Sequence, residues 1–242
     1  MHQTNFLHSI AITNEKAFEL GPIIRHHIEI FKAFHPTCKH ILWDNEMARR
    51  LITERFENRV IRAYEKLIPS AYKADLARLC ILYEFGGIYS DLSILYINTM
   101  DHLLKGETKT FMFRLDWNPG SVHNAIILTK RKAEIIGELI LKVVENVESE
   151  YYGETELDPT GPEMISKHLK RRKIKEFGNT KLCLKDIPLQ LFYSKNENQE
   201  YPIALRYKPT LGAAGLGSLG AKGFEENPYT KAWHNRSVYN EL

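Results

Sequence analysis

The spacing of apolar positions changes period several times along the chain, and each change marks an element. Phe6–Ile12 is a short apolar run in which Ile10 and Ile12 alternate, the two-residue period of a strand. Asn14-Glu15 and Gly21-Pro22 are turn signals. From Pro22 the period lengthens: Ile23, Ile24, Ile28, Phe31 and Phe34 make a helical stripe that His35-Pro36 stops. Pro22 suits the first helical turn, where the amide it lacks would have no partner anyway. Lys39–Trp43 reads as a second strand and Asn45–Phe56 as a second helix. Next comes a helix capped by Ser70, with Leu76, Leu79, Cys80 and Tyr83 at helical spacing. Gly86-Gly87, free to take positive φ, ends that helix. Ile88-Tyr89 is a very short strand leading to Asp91, and Ile94–Ile97 resumes the apolar run.

Further strands are expected at Thr110–Arg114 and Ala125–Leu128, a long helix over Ala133–Val147, and a shorter one after Pro159. Beyond Lys181 the pattern is strand-like and rich in turns. Five of the 14 glycines (Gly212, Gly215, Gly217, Gly220, Gly223) fall in 211–223, which reads as a mobile loop before a closing segment over 224–242. Strands alternating with helices predict an α/β fold. With no repeat or low-complexity linker to divide it, residues 1–242 are read as one domain.

Composition narrows the class. Hydrophobic residues at 43% and charged residues at 26% exclude a disordered or fibrous chain. Thirty-three basic against 30 acidic residues leave a net charge of +3, too balanced to argue for a nucleic-acid partner. Cys38, Cys80 and Cys183 form no CxxC pair, which points to a reducing compartment. No apolar run reaches the ~18–20 residues that span a bilayer, and Met1–Asn5 opens no signal peptide. The expectation is a cytoplasmic protein.

A carboxylate just beyond a strand, at the carboxyl end of an open α/β sheet, is well placed to face a ligand. Asp91 has that position, and the preceding helix carries Asp75 and Arg78 three residues apart on one face. Carboxylate acceptors and guanidinium donors together suit the hydroxyl-rich edge of a sugar. From spacing alone the same pair also reads as a surface ion pair worth ~0.3–0.5 kcal/mol. His26-His27, His35, His40, His102 and His123 lack metal-type pairing such as HExxH. No nucleophile elbow or Walker loop occurs, and Gly215-Leu216-Gly217 has no following lysine–serine pair. Tyr151-Tyr152, Trp117 and Trp233 either line an acceptor groove or are ordinary core and rim residues. The basic run Lys167–Lys175 reads as a solvated helix end or as a docking patch for an anionic membrane.

Asp75, Arg78, Leu82, Gly86-Gly87, Tyr89 and Asp91 fall in the spacing D-x-x-R-x-x-x-L-x-x-x-G-G-x-Y-x-D. This stretch closely resembles the signature of the DXD-containing glycosyltransferase sugar-binding family. That family includes yeast outer-chain mannosyltransferases, bacterial polysaccharide transferases and, more distantly, the glucosylating domains of clostridial toxins. Leu7-His8-Ser9-Ile10 is similar to the family's first strand, His35-Pro36 and Leu42-Trp43-Asp44 to its N-P…L-W-x-D segment, Thr160-Gly161-Pro162 to its T-G-P turn, and His234 with Ser237 to its C-terminal H-x-x-x-S-W.

The resemblance implies a GT-A type nucleotide-binding fold, a single mixed-sheet domain flanked by helices. It also implies a nucleotide-diphosphate sugar donor, Mn²⁺ or Mg²⁺, a glycan or lipid-linked acceptor, and transfer of a hexose with retention of anomeric configuration. Carried over, Asp75 and Arg78 hold the donor sugar, and Asn124 lies near the reacting centre. Tyr89 packs near the nucleotide or diphosphate, with Leu7, His8 and Ser9 on the nucleotide side. Asp91 contacts ribose and metal. His234 and Ser237 close over the diphosphate, so that Asp91, Ser93 and His234 are the expected metal ligands. Two positions depart from the pattern: Ser93 stands where the family has its last carboxylate, and Ala11 where its first strand often carries a tryptophan. A neutral hydroxyl is a poorer ligand for a hard cation than a carboxylate. A non-catalytic nucleotide-sugar-binding protein, and an effector that glycosylates host protein hydroxyls, are the alternatives on the same fold.

Overall fold

The first strand forms where alternation places it, at Phe6–Ile10 (β1), and the proline-initiated helix follows at Pro22–Ala33 (α1). The computed structural model describes residues 6–13, 18–100, 103, 110–115, 118–169, 178–182, 189–196, 199–207, 216–224 and 228–241. Trp117, His102, Cys183 and most of the basic run lie outside these residues. Helices α2 (Asn45–Arg55), α3 (Asn58–Lys66) and α4 (Ser70–Phe85) follow strand β2 (Lys39–Trp43). Strands β3 (Gly87–Ser90), β4 (Ile94–Tyr96), β5 (Phe111–Leu115) and β6 (Asn118–Thr129) lead to α5 (Glu134–Glu148) and α6 (Pro162–Leu169). Strands β7 (Gly178–Leu182), β8 (Leu189–Asn196) and β9 (Gln199–Tyr207) and helix α7 (Pro228–His234) complete the order. No helix among the described residues is long and apolar enough to cross a membrane.

The nine strands pair in the order β2-β1-β3-β6-β5-β7-β8-β9-β4. The first three are mutually parallel, and β6 runs antiparallel to β3. This is the mixed α/β sheet expected of a GT-A-like fold. Alternating side chains separate two cores. Ile88, Ile126 and Leu128 join Phe31 and Tyr96 on the α1 side, while Tyr89 and Ile127 pack with α2–α6 on the other. Although β4 begins four residues after β3 ends, it pairs with β9, with Ile94 opposite Arg206. That pairing brings the last strand to the carboxyl end of β3.

Helix α4 is buried on nearly all sides. Leu76, Leu79, Cys80, Ile81 and Leu82 are fully shielded, each aliphatic side chain contributing ~1.5–3 kcal/mol by burial. It starts differently from expectation: Pro69 is the N-cap residue, with no side-chain cap, and Ser70 is already helical. The Pro69 carbonyl accepts the Tyr72 and Lys73 amides directly. It ends as expected at Gly86, whose φ of +65° and close approach to the Arg131 backbone (2.5 Å from where a Cβ would stand) exclude other residues. Two helices escape the sequence reading. The apolar face of α3 (Val60, Ile61, Ala63, Tyr64) is short and set among charges, and α7 lies within the turn-rich tail. The described part of the glycine-rich segment also differs from a mobile loop. Leu216–Leu219 is a 3₁₀ turn, and Leu219 and Ala221 pack with Ala11, Ile24 and Leu92.

Candidate active site

Asp75 and Arg78 lie on a helix with almost no solvent face, so each must find partners inside the protein. Asp75 Oδ1 accepts from Arg78 Nη2 at 2.9 Å and from Asn124 Nδ2 at 3.0 Å. Its Oδ2 accepts from Thr160 Oγ1 at 2.9 Å. Arg78 Nη1 reaches Asp91 Oδ1 at 3.2 Å and the Asn124 carbonyl at 2.9 Å. The guanidinium lies 4.7 Å from the centre of the Tyr89 ring, and the Tyr89 hydroxyl donates to Asp91 Oδ1 at 2.7 Å. The four residues expected at the reacting centre (Asp75, Arg78, Asp91, Asn124) therefore form one hydrogen-bonded cluster at the carboxyl end of β3. Burial pushes the Asp75 carboxyl up, with Arg78 and the Thr160 and Asn124 bonds pulling the other way. Asp91 is the most open of the charged members, with 21% of its side chain exposed, and its Oδ2 has Arg206 as neighbour at 3.7 Å.

Thr160, Arg206 and His123 complete the cluster without having been read as part of it. Thr160 has a sequence signal, the Thr160-Gly161-Pro162 turn, whose chemistry becomes clear here. The threonine hydroxyl meets Asp75, the Cβ position of Gly161 is 3.3 Å from Asp75 Oδ2, and Pro162 opens α6. The loop before it is fixed by Asp158, which accepts the Glu154 and Thr155 amides and pairs with Lys167 at 2.6 Å. Lys167 is thereby committed to the interior edge of that loop. Arg206 donates through Nε to Ser93 Oγ at 3.1 Å, and its Nη1 lies 2.9 Å from His123 Nε2. Nothing in the local sequence around Arg206 announces this role, because it depends on the β4–β9 pairing.

Other expected residues are placed differently. Leu7 and His8 are fully buried and Ser9 nearly so. Trp43 Nε1 donates to His8 Nδ1 at 3.1 Å, and His8 Nε2 donates to the Gly86 carbonyl at 2.9 Å, which fixes one neutral tautomer. His8 thus ties β1 to β2 and to the α4–β3 turn. Tyr89 is likewise interior, positioning Arg78 and Asp91 from beneath. Ser237 turns back on its own helix, its amide donating to the Ala232 carbonyl at 2.8 Å, and His234 is exposed beside Trp233. Helix α7 is fastened near α4 by the Tyr72–Tyr229 ring contact and by Trp233 Nε1 donating to the Tyr152 carbonyl. Among the described hydrogen bonds and ion pairs, none joins His234 or Ser237 to Asp91 or Ser93.

His8 gives a pH prediction. Burial pushes its pKa from 6.5 down to about 4, so the unfolded chain binds a proton that the folded protein refuses. Stability from this group is complete above pH ~6.5 and is lost as pH falls toward 4, by ~2–4 kcal/mol. Urea unfolding at a series of pH values should show this loss, and His8→Gln should flatten it. Equal pH slopes in the two proteins would contradict the assignment.

The Mn²⁺ or Mg²⁺ expected here requires oxygen ligands with free lone pairs and, for charge compensation, anionic groups. Asp91 Oδ1 already accepts two bonds, Ser93 Oγ accepts from a guanidinium, and two arginines stand within 4 Å of Asp91. Among the described residues no group of three His, Cys, Asp or Glu side chains is placed to hold a metal. Of the expected oxygen ligands only Asp91 Oδ2 is left open among the described residues, so the donor set falls short of the anionic oxygens a divalent cation needs.

The fold is that of a glycosyltransferase of known structure. The PaToxG glycosyltransferase matches with a TM-score of 0.54 at 15% identity, over 69% of each chain, which is a likeness of fold. Residues 24–110, which carry Asp75, Arg78 and Asp91, match the family described as "glycosyltransferase sugar-binding region containing DXD motif". Among curated relatives, the uncharacterized glycosyltransferase L373 of Acanthamoeba polyphaga mimivirus is 34% identical over 70 residues, 26% of this chain and 28% of that protein. Inositol phosphoceramide mannosyltransferase 3 of Schizosaccharomyces pombe is 34% identical over 70 residues, 29% of this chain and 19% of that protein. The match thus spans less than a third of either relative's length.

Proposed function

We propose that this protein transfers a hexosyl group from a nucleotide-diphosphate sugar to a hydroxyl of a glycan or lipid-linked acceptor, with retention of anomeric configuration. The observation that carries the reading is the convergence of Asp75, Arg78 and Asp91, all within the segment that matches the sugar-binding family, with Asn124 at the carboxyl end of β3. Asp75 Oδ2 retains an acceptor site beside Thr160, and Asp91 Oδ2 lacks a hydrogen-bond donor within 3.5 Å among the described residues. Both suit sugar or ribose hydroxyls. Cleavage of the bond from anomeric carbon to diphosphate develops negative charge on the departing oxygen. Fixed cations beside that oxygen stabilise the transition state more than the ground state. Water exclusion by the surrounding core strengthens the effect.

A panel of nucleotide sugars, read by thermal stabilisation and by release of nucleoside diphosphate, tests the reading. At 100 times its Kd, a bound donor should add ~2.7 kcal/mol of stability, and only that donor should be slowly hydrolysed. Proton NMR of the transferred sugar then reports the anomeric outcome. A panel in which no nucleotide sugar or nucleoside diphosphate stabilises the protein would end the proposal.

A further inference from the structure

Among the described residues, Arg206 is an internal cation whose carboxylate partner is a shared one. Its side chain is 13% exposed, and its carboxylate neighbour, Asp91, lies at 3.7 Å and is shared with Arg78. Burial works against its charge. Of its five N–H groups, Ser93 takes the one on Nε, and Nη1 lies beside His123. The two on Nη2, which faces Asp91 Oδ2, have no acceptor within 3.5 Å among the described residues. The guanidinium therefore spans Asp91 and Ser93, the two residues at the ends of the triplet where the family pattern has a carboxylate at each end.

The charges balance without a metal. Two carboxylates and a divalent cation sum to zero, and so do Asp91, the neutral Ser93 and one guanidinium. Ser93 and Arg206 are also chemically coupled. A hydroxyl accepts the Nε–H and leaves the cation's charge available, whereas a carboxylate at position 93 would close a charge-assisted pair with it. A planar guanidinium with free N–H groups is well suited to phosphate oxygens.

We propose that Arg206 takes the place of a divalent metal at this site. It binds the diphosphate of the donor and stabilises the negative charge of the leaving group, with Ser93 holding it in position. The inference rests on the nucleotide-sugar reading and narrows it to metal-independent donor binding. It also gives the serine a purpose, where a damaged metal site would give it none.

Isothermal titration with UDP, GDP, ADP and dTDP, each in excess EDTA and again in excess Mn²⁺, separates the possibilities. The expected result is that at least one diphosphate binds with Kd values agreeing within about threefold. Arg206→Met should weaken that binding ~30-fold, equivalent to ~2 kcal/mol and typical of a hydrogen bond to a charged group. The double variant Ser93→Asp/Arg206→Met should bind only in the presence of Mn²⁺. Ser93→Asp alone, which keeps Arg206 in place should the methionine variant not fold, should lower affinity in EDTA ~10-fold by drawing the guanidinium into an ion pair. Binding abolished by EDTA and restored by Mn²⁺ in the natural chain overturns the inference and leaves the glycosyl-donor reading standing. Unchanged affinity in Ser93→Asp, or in a folded Arg206→Met, also overturns it. Absence of binding by every diphosphate in both buffers sinks the glycosyl-donor reading itself.

Discussion

Arg78→Met should lower the free energy of unfolding by ~3–5 kcal/mol, the cost of leaving buried charges uncompensated. Arg78 has 8% of its side chain exposed and serves Asp75, Asp91 and the Asn124 carbonyl at once, from a position stacked on Tyr89. A methionine fills much the same space, so the loss measures charge and hydrogen bonding more than packing. Asp75 would remain beneath the surface with only Thr160 and Asn124 as donors. Arg78→Lys should recover only part of the loss, since an ammonium lacks the planar fork that meets several acceptors together. Against a typical domain stability of ~5–15 kcal/mol, the methionine variant would stand close to unfolding. Urea denaturation at neutral pH gives the comparison. A methionine variant within ~1 kcal/mol of the natural protein would mean that the cluster is held by its surroundings and not by this cation.

Asp91→Asn should have the opposite profile, with donor turnover falling ~10²–10³-fold and unfolding free energy shifting by less than ~2 kcal/mol. The substitution keeps the shape of the side chain and an oxygen able to accept from Tyr89, so the framework beneath survives. What disappears is the negative charge on the most open member of the cluster, which balances Arg78 and Arg206 and offers Oδ2 to a hydroxyl. Steady-state kcat/KM for nucleoside diphosphate release, beside a urea curve for the same preparation, separates the two effects. Turnover within tenfold of the natural protein would remove Asp91 from the reaction.

The contrast between these substitutions follows from position. Arg78 projects from a helix with almost no water-facing side, whereas Asp91 sits where β3 ends and the chain turns toward β4. The helix–glycine–strand passage from Ser70 to Asp91 was legible because everything that shapes it is local: a helical apolar period, a glycine at φ +65°, and a strand too short to do more than deliver one carboxylate. The first strand was legible as an element, but the partners of its side chains were not. His8 resembles a ligand-facing residue until Trp43 and the Gly86 carbonyl, distant in sequence, are seen to satisfy both ring nitrogens. Short apolar faces were also hard to read. Helix α3 shows four buried positions in nine residues, and it is identified by packing against α5 more than by its pattern.

The linear order of residues determined the α/β alternation, the buried helix carrying Asp75 and Arg78, the place of Asp91 at a strand's carboxyl end, and the substitution of serine at position 93. Periodicity, glycine conformation and hydrogen-bonding capacity are properties of neighbouring residues, and the chain displays them before it folds. The partners of those side chains were decided only by the fold. Asn124, Thr160 and Arg206 come from 49, 85 and 113 residues away from the groups they meet. Long-range strand pairing, above all of Ile94 with Arg206, sets which charges share one low-dielectric space, and the electrostatic character of the site depends on that sharing.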